Sequence, residues 1–240
     1  MKHFWINTDN NLKRRYFMTE QFKKYNIDNY RISAITPKDF DDVLEQKRPL
    51  TCKHPGCTSC EYEYGCLSSH IKAMKECLKY DDPYYVIIED DIYLPFKIDY
   101  ENLIKYSSNN FDIIQLLILY NNTIDTLRNY YINTGNLFIK WQYLLPSTGM
   151  YIISKKGAQK MVDLYVNKNN KYDFSQSKCQ NVADVLIYSS IPTIATTLPY
   201  CYPNVDMGSE IHPDHLEAHK NAVDSIKNTI NSITNYPFIN

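Results

Sequence analysis

Short apolar runs alternate with amphipathic stripes along almost the whole of this chain, and that alternation restricts it to the α/β class. The run "HFWINT" is followed by "LKRRYFMTEQFKKY", where Leu12, Tyr16, Phe17 and Phe22 recur at helical spacing, and then by the strand "NYRISAI", which runs into Pro37. From Gly65, "GCLSSHIKAMKECLKYDD" places Leu67, Ile71, Met74 and Leu78 on one helical face. "PYYVIIEDD" is a third strand, entered through Pro83, and "FDIIQLLIL" a fourth. "GMYIIS" then leads into the helix "KKGAQKMVDLYV", and "NVADVLIYSS" reads as a short helix before the strand "TIATT". Residues 120–136 are polar and Asn-rich and read as a loop.

No repeat or domain-sized linker interrupts the pattern. Residues 1–240 are therefore expected to form one domain with a central mixed, mostly parallel sheet flanked by helices. Two segments stand apart. Residues 37–63 carry three prolines, the acidic "DFDDVLE" and a cysteine cluster, and read as a long insertion with room for its own helix. At the other end, a helix is expected over about 213–233, with Pro213 near its first turn and Asp214 favourable beside the N-terminal dipole.

Composition excludes several classes of function. A formal net charge of −1 with interspersed acids and bases gives no basic footprint for nucleic acid. No apolar run reaches the roughly 20 residues that cross a bilayer, and "MKHFWINTDNN" has no signal-peptide core. The expectation is a cytoplasmic chain with no membrane span. Seven cysteines, an odd number, argue against a complete disulfide framework.

The chemistry concentrates in "IIEDDIY", residues 87–93, where Glu89, Asp90 and Asp91 follow directly on a buried strand. Ligands of open α/β sheets bind beyond the carboxyl ends of the strands. Carboxylates crowded at such an end repel one another, and at least one pKa rises unless positive charge intervenes. A hard divalent cation, Mn²⁺ or Mg²⁺, removes the conflict by taking one or two carboxylates from the protein and completing its shell with substrate phosphates. A solvated acidic turn is the bland alternative, and the apolar entry "YYVII" counts against it.

Six blocks, "FWINTDNNLKRRYFMTEQF", "RISAI", "GCLSSHIKAM", "YVIIEDDI", "STGMYIISKKGAQKM" and "ADVLIY", occur in the order seen in glycosyltransferase family 25, and the similarity spans about residues 3–202. That family contains lipooligosaccharide and procollagen galactosyltransferases. The resemblance implies a GT-A-like fold, a UDP-sugar donor (most often UDP-galactose), Mn²⁺, and inverting transfer to a glycan, glycoprotein or collagen-like acceptor. It also implies Asp91 as metal ligand, with Glu89 and Asp90 on the donor side. Asn7 and Arg14 match the positions where the nucleotide lies, with Arg15 an alternative to Arg14. Gly65, Ser69 and His70 match the "GC…SH" block, as donor contacts or as a satisfied semi-buried polar pair. Asp184 matches the acid placed near the acceptor and is the expected base, ahead of Asp173. GT-A enzymes often complete the metal shell with a late histidine, which makes His212 a candidate, while His215 and His219 are four apart and can share a helix face.

The insertion departs from the family pattern. Cys52, His54, Cys57 and Cys60 offer four soft ligands in nine residues, so structural Zn²⁺, a local disulfide and reduced thiols are all open. Two rival readings follow: a zinc-stapled, non-catalytic binding module, and a metal-dependent nucleotidyltransferase. The latter would be favoured by a glycine-rich phosphate loop after the first strand, where "INTDNNLKRR" has no glycine.

Overall fold

The strand β1 (His3–Asn7) is buried along its whole length and seeds the sheet. A computed structural model describes residues 1–45, 58–107, 110–143, 145–177, 182–208 and 216–240, with the side chains of 58–60 left out. After β1 come α1 (Leu12–Tyr25), β2 (Asn29–Ser33), α2 (Phe40–Val43), α3 (Thr58–Cys77), β3 (Tyr84–Glu89), β4 (Ile92–Tyr93), α4 (Tyr100–Tyr106) and β5 (Ile113–Gln115). The second half contains α5 (Asn121–Thr134), β6 (Phe138–Lys140), β7 (Met150–Ser154), α6 (Lys155–Tyr165), α7 (Ala183–Ser190), β8 (Thr193–Thr196), β9 (Tyr202–Pro203) and α8 (Leu216–Ser232).

Seven strands form the main sheet in the order β2-β1-β3-β7-β5-β8-β6, and β4 pairs with β9 in a separate ribbon. β1 is parallel to β2 and β3, and β5 is parallel to β8. β7 runs antiparallel to both β3 and β5, and β6 antiparallel to β8. Five strands therefore share one direction and two oppose it, the mixed, mostly parallel α/β sheet expected from the sequence.

Period-two alternation divides the strand side chains between two cores. Phe4 and Ile6 of β1 and Tyr85 and Ile87 of β3 pack on one face, with Leu67, Ile71 and Met74 of α3 and Met161 of α6. Trp5, Val86 and Ile88 face the other side, against Met18 and Phe22 of α1 and Ile226 of α8. Each such fully buried side chain stabilises the fold by about 1.5–3 kcal/mol. α1 is closed at both ends: Asn11 accepts from the Arg14 N–H at 3.1 Å, and Asn26 turns left-handed (φ 53°) after Lys23 and Lys24.

Three local expectations need correction. The segment 120–136 contains α5, which buries Ile124 and Leu127 three residues apart and ends at Gly135 in the left-handed region (φ 69°). Its asparagines are weak helix formers, and tertiary packing decides the outcome: Ile124 joins the core that holds Ile226 of α8, and Leu127 packs with Ile118, Leu145 and Ala195. α3 begins at Thr58, so Gly65 lies inside the helix rather than at its start. A Cβ there would meet Ile35 O at 2.6 Å, so the missing side chain lets α3 press against the chain leaving β2. The run "FDIIQLLIL" pairs as a strand only over β5. Among the described residues, no helix is long and apolar enough to cross a membrane.

Candidate functional site

Parallel pairing of β1 with β3 sets Ile6 opposite Glu89, which brings Asn7 beside Asp90 at the carboxyl end of both strands. Asn7 Nδ2 donates to Asp90 Oδ2 at 2.7 Å, and Arg14 Nη1, from the first turn of α1, donates to Asp90 Oδ1 at 2.7 Å. Both oxygens of Asp90 are thus engaged. The other guanidinium nitrogen, Arg14 Nη2, lies 3.2 Å from Asp91 Oδ2 and donates to Gly208 O at 2.6 Å. One arginine therefore ties the two aspartates to the chain that follows β9.

Glu89 turns the other way. Its Oε1 accepts from the Thr148 hydroxyl at 2.8 Å and stands 3.3 Å from His70 Nε2, while His70 Nδ1 is 3.0 Å from the Tyr151 hydroxyl. Burial pushes the Glu89 carboxyl up, but His70, Thr148 and Arg14 outweigh it and leave the pKa below its ordinary value.

Thr148 also links this acid to Asp184. The preceding residue, Ser147, donates its N–H to Asp184 Oδ2 at 3.2 Å, and Asp184 Oδ1 accepts from the Val185 N–H at 2.8 Å. Ser147 is held at φ 109°, a left-handed conformation that costs a non-glycine residue about 1–3 kcal/mol. Its carbonyl accepts from the Tyr188 hydroxyl at 2.9 Å and from Gln115 Nε2 at 3.0 Å, and these bonds fix the strained loop. Asp184 is pushed up by burial and by the nearby Glu89, against the two backbone N–H bonds that favour its ionised form.

A cavity of about 150 Å³ opens beside the acids, lined by Asn7, Arg14, Ile35, Tyr62, Cys66, His70 and all three carboxylates. Thr8, Thr36 and Tyr62 are shared with a wider groove of about 640 Å³. Together they match the size of small-molecule sites, roughly 300–1,000 Å³. The α3 face made by Tyr62, Cys66, Ser69 and His70 lies on this cavity because the residues are spaced by three and four.

Asp90 and Asp91 are both pushed up by burial despite Arg14, and of the two Asp91 is the less compensated. Burial first, then Glu89 and Asp90, raise its pKa to about 7 against the pull of Arg14. Its side chain is 19% exposed, and Arg14 is its ion-pair partner among the described residues. A buried, under-compensated oxygen donor at a strand end fits a hard cation such as Mn²⁺ or Mg²⁺.

Other candidates are placed differently. The Ser69 hydroxyl donates to Gly65 O at 2.6 Å and accepts from the Ile35 N–H at 2.7 Å, so it pins α3 to the β2 loop at the cavity wall. Arg15 donates to Asn7 Oδ1 at 3.3 Å and to Asp9 O at 2.9 Å, which orients the polar rim. Asp173 caps a turn through the Ser175 N–H and does not line the cavity. His212 and His215 lie outside the described residues, as do Cys52, His54 and Cys57 and the side chain of Cys60; His219 lies in α8. The sequence reading missed Arg31, whose Nε donates to Asn7 Oδ1 at 2.9 Å and whose Nη2 pairs with Asp9. It also missed Thr148 and Tyr188, although both lie in quoted blocks.

Comparison with known proteins adds to this geometry. A putative glycosyltransferase of Haemophilus influenzae is 31% identical over 104 residues, which is 43% of this chain and 37% of that protein. The match thus spans little more than a third of the relative's length. The solved galactosyltransferase LgtC, in complex with donor and acceptor sugar analogues, is 12% identical with a TM-score of 0.45, covering 81% of this chain and 73% of that one. A glycosyltransferase involved in glycosylation of the major capsid of PBCV-1 is 10% identical with a TM-score of 0.40, covering 93% and 98%. The model of glycosyltransferase family 25, described as an LPS biosynthesis protein, matches residues 1–176, a span that includes β1, the three acids and the α3 face, and the chain belongs to that family.

Proposed function

We propose that this protein transfers a hexose, galactose in the first instance, from a UDP-sugar to an acceptor hydroxyl with inversion at the anomeric carbon. The observation that carries this reading is the convergence of Glu89, Asp90 and Asp91 on one cavity, with Asp184 joined to the same cluster through Ser147 and Thr148. Family membership supports the reaction class.

The cavity would take the donor, with Asn7, Arg14 and the polar rim around its phosphates and Tyr62 at the mouth. Asp91 would hold Mn²⁺ or Mg²⁺, and such an ion supplies charge neutralisation for the departing diphosphate. Asp90, whose two oxygens accept from Asn7 and Arg14, would serve to fix Arg14. His70 and Thr148 hold Glu89 ionised and oriented. Asp184 would accept the proton of the acceptor hydroxyl, and its raised pKa makes it a stronger base than an exposed carboxylate.

A panel of UDP-sugars, with and without Mn²⁺, tests the reading by nucleotide release and by protection against thermal unfolding. UDP-galactose is expected to give the largest metal-dependent response, and Asp91→Ala is expected to abolish it. Absence of a response to every nucleotide sugar by the wild-type chain would sink the proposal.

A further inference from the structure

One corner of the cavity has ligand chemistry that Asp91 does not share. Cys66 and His70 stand four residues apart on α3, on the face turned toward the end of β3, and Glu89 meets them there. One donor atom from each of the three lies within 4.8 Å of the others. We propose that Cys66 Sγ, His70 Nε2 and a Glu89 carboxylate oxygen form a binding site for a thiophilic divalent cation of the zinc class, distinct from the oxygen donor at Asp91.

Three features support a site rather than a chance grouping. The outer partners are those a metal ligand needs: His70 Nδ1 lies 3.0 Å from the Tyr151 hydroxyl, and Glu89 Oε1 accepts from Thr148 at 2.8 Å. All three residues line the cavity, so an ion held by them would have room on that side for an exchangeable fourth ligand, as open zinc sites with three protein ligands do. Cys66 is only half-buried, which gives an ion a way in. With metal bonds of about 2.0–2.3 Å, the donors around one zinc sit closer together than 4.8 Å. His70 and Glu89 are already 3.3 Å apart, so the remaining approach falls mainly to Cys66.

Ligand softness separates the two sites. Sulfur and imidazole select zinc-class ions, whereas a carboxylate beside substrate phosphates selects Mn²⁺ or Mg²⁺. An ion held by Cys66 would replace the His70–Glu89 hydrogen bond and fill the cavity floor. On the proposed reading of that cavity as the donor pocket, zinc then competes with the nucleotide sugar.

The test uses the full chain with Cys52→Ser, Cys57→Ser and Cys60→Ser, so that the insertion supplies no thiolate. Co²⁺ titration is expected to give one equivalent with a sulfur-to-cobalt charge-transfer band, and adding Cys66→Ala is expected to remove the band. Zinc affinity, read by competition with a chromophoric chelator, should fall at least about 100-fold in that variant and about 10–100-fold in Tyr151→Phe. Circular dichroism identifies any variant that fails to fold, and Cys66→Ser then takes the place of the alanine. No thiolate-bound cobalt in the parent, or an unchanged band without Cys66, overturns the site. UDP-sugar binding with and without zinc is measured separately. If zinc binds through Cys66 and leaves donor binding unchanged, the site stands and the donor-pocket reading fails.

Discussion

Arg14 and Asp90 form an ion pair at 2.7 Å in which the two side chains are only 10% and 9% exposed. Removing one partner leaves a buried charge uncompensated, which typically costs about 3–5 kcal/mol. Arg14→Leu also removes the donor to Gly208 O and frees Asp90 and Asp91 to repel each other. We expect it to lower the urea midpoint more than Asp90→Asn, which keeps a polar group beside Asn7. Wild-type midpoints in both variants would show that the pair does not organise the acidic cluster.

Asp91 makes the metal-free protein sensitive to pH. Its folded pKa, near 7, lies above the ordinary value of 3.8. Between those values the folded protein keeps a proton that the unfolded chain has lost. The associated stability is full below 3.8 and is lost as the pH rises to about 7. Cation binding needs the ionised form, so Mn²⁺ affinity should climb over the same upper range and then level off. Thermal melts at pH 5, 6, 7 and 8, with EDTA or Mn²⁺, check both slopes. Asp91→Asn should flatten them.

Gly65 offers a sharper test of packing. An alanine Cβ would sit 2.6 Å from Ile35 O, a backbone atom that cannot swing aside. Ser69 bonds both sides of this contact, so displacement of α3 would also move the cavity wall. Gly65→Ala is expected to cost about 1–3 kcal/mol by denaturant unfolding and to weaken donor binding. Wild-type values for both would mean that the helix relaxes freely.

The sheet and the acidic strand end were legible because each rests on local pattern. β3 is apolar up to Glu89, and its polarity alone says where a ligand would approach. α5 was not legible, since Ile124 and Leu127 form a narrow stripe among asparagines, and only the assembled fold supplies what they pack on: Ile226 of α8 in the core around Ile124, and Ile118, Leu145 and Ala195 around Leu127. The role of Asp90 was hidden for a similar reason. Adjacent acids look equivalent in sequence, and it takes β1–β3 register to show that Asp90 accepts from both Asn7 and Arg14, whereas Asp91 meets only the second nitrogen of Arg14 among its ion pairs in the described residues. Arg31 reaches Asn7 from β2, a neighbour set by strand order rather than by chain distance.

Ser147 carries strain that substitution can measure. At φ 109°, glycine fits without penalty, whereas a β-branched side chain is opposed by its own backbone. Ser147→Gly forfeits the bond from its hydroxyl oxygen to the Gly149 N–H but relieves the conformation, so its stability should stay within about 1 kcal/mol of wild type. Ser147→Val should lose about 2 kcal/mol or more. Calorimetric melts of the pair distinguish them, and indistinguishable melts would place this loop in another conformation in solution.

Asp184 is the residue on which the proposed chemistry turns. Both of its oxygens accept backbone N–H groups, from Ser147 at 3.2 Å and Val185 at 2.8 Å, which sets the carboxylate in place at the start of α7. Burial, aided by Glu89, lifts its pKa, so the acid limb of kcat/KM should fall above the ordinary carboxylate range. Asp184→Asn keeps the shape and cannot take a proton. Turnover should drop about 10²–10⁴-fold while UDP-sugar affinity, measured calorimetrically with Mn²⁺, stays near wild type. The acid limb should disappear from the residual rate. If instead affinity falls and turnover persists, Asp184 serves to hold the Ser147 loop against Glu89 through Thr148, and the proton must pass to another acid of the cluster.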